Sequence, residues 1–243
     1  MRLSSLAVRK IEGSSMNILV RAYRSSIGKK YVMALSGLAL FLFVIGHMAG
    51  NLQIFAGRDA INSYAEFLKS KPGLLWSARA ALLVLVIAHI ITAIQLVSEN
   101  REARPTGYKM GRPARASLAS RTIFLTGLII FAFVVYHLMH FTFGVTNPEF
   151  LQLHDPTAPS RHDVYGMMVQ GFSNLFVSAF YIISMALLCM HLSHGVSSMF
   201  QSLGIRSRSN LRAIHNAARV AALIIFIGNV SIPIAILAGV VKP

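Results

Sequence analysis

The stretch from Tyr31 to Gln53, YVMALSGLALFLFVIGHMAGNLQ, carries no charged residue. A bilayer-spanning helix needs about 20 predominantly apolar residues, because its hydrocarbon setting leaves no water to satisfy polar groups. The stretch meets that length and still holds one ionisable side chain, His47. Such a group inside a span is costly and marks a functional site by default. Three further apolar stretches also contain histidine: His89, His137 with His140, and His191 with His194.

The composition agrees with a membrane domain. The chain has 243 residues, of which only 13% are charged, and its mean hydropathy is +0.60. This is too apolar for an ordinary soluble domain. The net charge of +15 does not argue for nucleic acid. The basic residues lie between apolar stretches, where topology and anionic lipid headgroups account for them. The single cysteine, Cys189, excludes an internal disulfide and a CxxCH haem attachment. It also excludes an iron–sulfur cluster held by this chain alone, which takes about four thiolates.

Five spans are expected, at about 31–51, 75–98, 121–145, within the charge-free run 164–205, and 219–241. The resulting fold class is an all-α membrane protein whose first four helices form a bundle. Residues 1–30 read as a basic cytoplasmic segment, with no apolar core that would make them a signal peptide. Residues 31–243 form the membrane domain. Ala60–Leu68 is expected to form a short surface helix, and Pro233 lies inside the fifth span. Lysines and arginines number seventeen in the N-terminal segment and loops 99–121 and 205–219, against six elsewhere. That bias places the N-terminus inside and, with five spans, the C-terminus outside.

Depth pairs the histidines. His47 lies 16 residues after Tyr31, and His137 lies 16 after Arg121, so both sit roughly 24 Å above the inner boundary at about 1.5 Å per residue. His89 lies ten residues before Glu99, and His191 ten before Gln201, both roughly 15 Å above it. One pair belongs to the ascending spans and one to the descending spans. Two imidazoles at one depth inside a helical bundle suit bis-histidine ligation of haem iron. Depth does not separate His137 from His140, or His191 from His194, each three residues away.

Ser36-Gly37 precedes His47 by ten residues at the glycine, and Thr126-Gly127 precedes His137 by the same ten. The missing side chains would make room for a porphyrin at the inner pair, or else serve close helix packing. His154, His162 and His215 read as solvated. Phe131, Phe133, Phe172 and Phe176 read as packing or lipid contacts, and Cys189 as inert packing. No Walker A, dinucleotide GxGxxG or Ser/His/Asp arrangement occurs. No carboxylate falls within the spans as drawn, which weighs against a proton-coupled transporter.

The motifs SSIGKK (25–30), SGLALFLFVIGHMAGNLQ (36–53), NSYAEFL (62–68), IAH (87–89), TG followed by YH (126–137), and HLSHG with SLG downstream (191–204) cover most of the chain. Together they resemble the di-haem cytochrome b membrane anchor of succinate dehydrogenases and fumarate reductases, in its single-chain, five-helix form. The resemblance implies four axial ligands, His47, His89, His137 and His191. The last is selected over His194 by its position four residues before Gly195. It implies two haem b groups, a flavoprotein partner and an iron–sulfur partner on the inner face, and location in a prokaryotic cell membrane. Electrons from succinate would pass through the inner and then the outer haem to a quinone, typically menaquinone. Glu66, on the outer side near the His47 end, is the candidate proton acceptor at that quinone. Its plain alternative is a solvated helix-face charge. Two other functions stay open on the residues alone: the cytochrome b anchor of another respiratory enzyme, and a haem-free, proton-coupled transporter.

Overall fold

The computed structural model describes residues 18–103, 118–205 and 207–243. Five of its helices are long and apolar enough to cross a membrane. A short helix α1 (Ile18–Arg24) leads into α2 (Ser26–Asn51), followed by a 3-10 turn (Leu52–Ala56) and α3 (Arg58–Lys69). Then come α4 (Pro72–Glu102) and α5 (Leu118–Phe141). A second 3-10 turn (Pro148–Gln152) precedes a hairpin of β1 (His154–Asp155) and β2 (Ala158–His162). The chain ends with α6 (Val164–Ser173), α7 (Leu175–Ser202) and α8 (Leu211–Leu237).

The element boundaries correct several expectations. The first long helix begins at Ser26, inside the segment read as N-terminal, because Ser25 caps it by accepting from Gly28 N at 2.9 Å. The last begins at Leu211, eight residues before the expected Arg219, and Pro233 lies inside it. The third ends at Phe141 rather than Val145. The charge-free run 164–205 is two helices, not one. Asn174 interrupts it in extended conformation, and its side chain accepts from the N–H groups of Phe176 and Val177, capping α7. The fold is also not purely helical: β1 and β2 pair antiparallel, with His154 opposite His162.

Helix α2 packs against α4, α7 and α8, while α7 packs against α5, α2 and α8. The order α4–α2–α7–α5 curls into a four-helix bundle in which α4 and α5 touch each other loosely at most. Helix α8 lies outside this ring, against α7 and α2. It approaches α2 closely at Gly228, where a Cβ would come within 2.4 Å of Met48 Sδ.

Each end of the bundle has its own fastening. At one end Lys29 pairs with Glu99, Ser26 Oγ donates to Glu99 at 3.3 Å, and Tyr23 Oη donates to Gln95 at 2.8 Å. These bonds tie α1 and the start of α2 to the end of α4. A small apolar cluster of Ala34, Val196, Met199 and Ala218 lies near them. The other end carries the larger core, including Ile54, Ile61, Phe133, Phe172, Tyr181 and Ile232. It is capped by α3, the hairpin and α6. Asn62 is fully buried at the centre of the cap. Its amide donates to Asp155 at 2.8 Å and to Asp163 at 2.9 Å, and its oxygen accepts from Tyr165 N at 2.9 Å. Arg161, also buried, donates to Asp155, Asp59 and Ser63. Arg58 pairs with Asp163. A single polar network thus joins α3 to the hairpin and α6, which lie far from it in sequence.

Candidate cofactor site

The four histidines singled out by depth meet as two facing pairs. His47 on α2 and His137 on α5 have ring centroids 5.8 Å apart, with their planes at 85°. His89 on α4 and His191 on α7 are 6.4 Å apart, at 64°. Helices α2 and α5 are not packed on one another, and neither are α4 and α7. Each histidine pair therefore reaches across a diagonal of the bundle, and the two diagonals are crossed at different levels. Two imidazoles sharing one metal, with metal–nitrogen bonds of about 2 Å, have centroids roughly 6 Å apart. His47 is exposed and the other three are half-buried, so each keeps accessible ring surface.

The pair His89 and His191 is held by a repeated device. Ser36 Oγ donates to the Val32 carbonyl at 2.7 Å, which leaves its oxygen to accept from His89 Nδ1 at 3.2 Å. Thr126 Oγ1 donates to the Ile123 carbonyl at 3.0 Å and accepts from His191 Nδ1 at 3.4 Å. With each hydroxyl proton given to a carbonyl of its own helix, each imidazole donates from Nδ1 and leaves Nε2 unprotonated. Metal-bound histidines are oriented in this way by their other nitrogen.

The glycines of the same two segments complete the device. A Cβ at Gly37 would meet His89 Cε1 at 3.3 Å, and one at Gly127 would meet His191 Cε1 at 3.4 Å. The space they leave lies beside the imidazoles. The glycines let each histidine approach the neighbouring helix, which is the close packing held open as their second reading.

The pair His47 and His137 is held differently. Tyr181 Oη lies 3.3 Å from His137 Nδ1 and 3.0 Å from His140 Nδ1. His140 is 1% exposed, and its ring packs on Phe141, Phe150 and Tyr136. It is a buried, hydrogen-bonded side chain behind His137, and of the two it is His137 that faces His47. On α7 it is His191 that faces His89. His194 Nε2 meets Ser198 Oγ one turn along its own helix, at 3.1 Å. His47 stacks on Phe43, and its Nε2 lies 3.1 Å from Asn51 Nδ2. Ligation through that nitrogen requires Asn51 to release it.

As donors, the two facing imidazole pairs are of the kind that would hold haem iron, which would supply one-electron transfer. Among the described residues no group of three or more His, Cys, Asp or Glu side chains converges. Phe133 and Phe172 are buried beside Tyr181, whereas Phe131 and Phe176 are exposed. Cys189 Sγ donates to the Ala222 carbonyl at 3.0 Å. His215, read as solvated, is half-buried on α8, with its ring against Ser197 Oγ at 3.1 Å.

Glu66 is exposed on α3. It lines a cavity of about 350 Å³ with Ala65, Lys69, Ser70, Ser160, Arg161 and His162. Burial lowers the pKa of Lys69, and nearby Arg79 lowers it further. Burial, then the neighbouring Lys69, holds His162 below the ordinary histidine value. Asp155 is held far below the usual carboxylate range by hydrogen bonds, first from Asn62, then from Thr157 and Arg161. The carboxylates of Asp59 and Asp155 raise Arg161.

Sequence reasoning did not find Tyr181, Asn51 or the cap network. Ser36 and Thr126 stood in the repeated motif, but only its glycines drew an argument. The sequence matches no family model, no curated protein and no solved structure.

Proposed function

We propose that this chain is the membrane-anchor cytochrome b subunit of a succinate:quinone oxidoreductase. The observation that carries the reading is the pair of facing histidines on each diagonal of the bundle. His47 with His137, and His89 with His191, would hold one haem b each. Bound there, haem iron supplies one-electron transfer. The protein's share is to fix ring orientation and tautomer, as Ser36 and Thr126 do for His89 and His191. The positive-inside bias supports an N-terminus inside, and with it an inner pair His89/His191 and an outer pair His47/His137. The motif resemblance supports docking of a flavoprotein and an iron–sulfur subunit on the inner face.

Quinone reduction takes up protons along with electrons. Glu66 is the proposed proton acceptor for a quinone, menaquinone by the resemblance, at the outer end. What supports it is the cavity that Glu66 lines with Lys69 and His162. The Glu66→Gln variant is expected to lose quinone turnover while keeping its haem. Normal turnover would leave Glu66 as a solvated surface charge.

Affinity isolation of the tagged chain from its native membrane tests the whole reading. The expected result is co-isolation of a flavoprotein and an iron–sulfur protein, with a b-type chromophore that succinate reduces. A chromophore that only dithionite reduces, without a flavoprotein, would point to the anchor of another respiratory enzyme. Absence of any chromophore would overturn the cytochrome reading in favour of a haem-free transporter.

A further inference from the structure

We propose that Tyr181 is a positioning residue for His137, acting through a fixed hydrogen-bond chain that ends on the buried His140. The inference rests on the cytochrome reading and concerns residues for which that reading supplies no role.

The argument is one of proton counting. A phenol has one proton to donate. Tyr181 Oη lies within hydrogen-bond distance of two imidazole nitrogens, His137 Nδ1 at 3.3 Å and His140 Nδ1 at 3.0 Å. One nitrogen accepts the hydroxyl proton, and the other must donate its own. Tyr181 is 6% exposed and His140 1%, so no bulk water replaces a missing partner, and buried polar groups are paired as a rule. If His137 turns Nε2 toward His47 and a shared metal, Nε2 carries no proton. Its Nδ1 then carries one and donates to Tyr181. The hydroxyl proton of Tyr181 goes to His140 Nδ1, and His140 carries its own proton on Nε2. Ligation at one end thus dictates the tautomer at the other.

The surroundings leave this chain little freedom. The Tyr181 ring packs edge-on against Phe133 at 5.1 Å and Phe172 at 5.0 Å. His140 lies 4.0 Å from Phe141 between ring centroids. A Cβ at Gly171 would stand 3.2 Å from His140 Cε1, so a side chain there would press on the ring. At the other pair the relay is shorter: Ser36 and Thr126 take the imidazole proton and pass their own straight to a carbonyl of their own helix. An imidazole that donates to an oxygen, itself polarised by donating onward, becomes a more basic ligand. A more basic ligand favours the ferric state and lowers the potential of the metal it holds.

The test is Tyr181→Phe, which keeps the ring and removes only the hydroxyl. Wild-type and variant proteins are isolated from native membranes with their partners, and both haems are followed in potentiometric titrations and by low-spin electron paramagnetic resonance. The expected result is two haems retained, one potential shifted upward with a changed g-value, and the other unchanged. Full occupancy with both potentials unchanged would overturn the inference and leave the cytochrome reading standing. A wild-type protein without haem would overturn that reading itself. If Tyr181→Phe loses a haem, the comparison passes to His140. Glutamine there retains an acceptor for the hydroxyl and should keep the wild-type potential, whereas leucine should raise it. Equal potentials in His140→Gln and His140→Leu would contradict the chain.

Discussion

A glycine beside a histidine carries most of the specificity at the level of single residues. At Gly37 and Gly127 a Cβ alone would stand 3.3 Å and 3.4 Å from an imidazole carbon, closer than comfortable carbon–carbon separations of about 3.5–4.0 Å. A leucine at either position would push the ring off its facing partner. Gly37→Leu and Gly127→Leu are therefore each expected to cut haem per chain from about two to about one, with the His47/His137 site retained. Haem quantification with the band shape of the remaining chromophore checks this, and unchanged occupancy would contradict it. The sequence shows these glycines, because both precede a histidine by ten residues. What they touch was not legible, since His89 lies on a different helix and no local pattern states which neighbour a gap faces. Tyr181 was hidden for the same reason: a tyrosine in an apolar helix looks like packing until its hydroxyl meets two histidines on α5.

Among the elements, the cap over the His47 end is the part least readable in sequence. Residues 154–162 carry Pro156 and Pro159, yet they form a hairpin whose Asp155 and Arg161 find polar partners on α3, Asn62 for the one and Asp59 with Ser63 for the other. The helix expected at Ala60–Leu68 is present as Arg58–Lys69, but Asn62 is buried rather than facing solvent. Asn62→Ala takes one donor each from Asp155 and Asp163, which keep bonds from Arg161 and Arg58, and leaves Tyr165 N–H without its acceptor. Leaving a buried polar group unpaired costs about 1–3 kcal/mol, so detergent denaturation should show a loss of about that size.

Acid should act on the same network. The folded state holds Asp155 deprotonated far below its ordinary pKa. A depressed folded pKa means stability that is complete above the unfolded value, about 4, and declines as pH falls below it. Proteolysis or hydrogen exchange at residues 154–162 should therefore stay flat from neutral pH to about 5 and rise below about 4. Asp155→Asn should remove most of that dependence. The break between α6 and α7 was equally hidden: a run without charge reads as one helix, and only the capping bonds of Asn174 reveal two.

On the scale of the whole molecule, α2, α4, α5 and α7 form a ring closed on three sides, with histidines reaching across both diagonals and α8 packed outside it. The existence of the spans was legible, because a bilayer imposes a length and a low charge that few other constraints imitate. The pairing of histidines by depth was legible too, because helical rise converts position into height. The loose α4–α5 side was not, since both helices are apolar on nearly every face and carry no stripe that names a neighbour. Orientation remains a charge argument. A reporter fused at the C-terminus is expected to be active only on the outer side of the membrane, and an inside signal would reverse the assignment of inner and outer pairs.

The most direct measurement is the dithionite-reduced minus oxidised spectrum of the chain isolated from its native membrane, with haem counted per polypeptide in the wild type, His47→Ala and His89→Ala. Two facing imidazole pairs predict about two b-type haems in the wild type and about one in each variant, each variant keeping a different site. A wild-type chain with no haem, or variants that both retain two, would contradict the two bis-histidine sites.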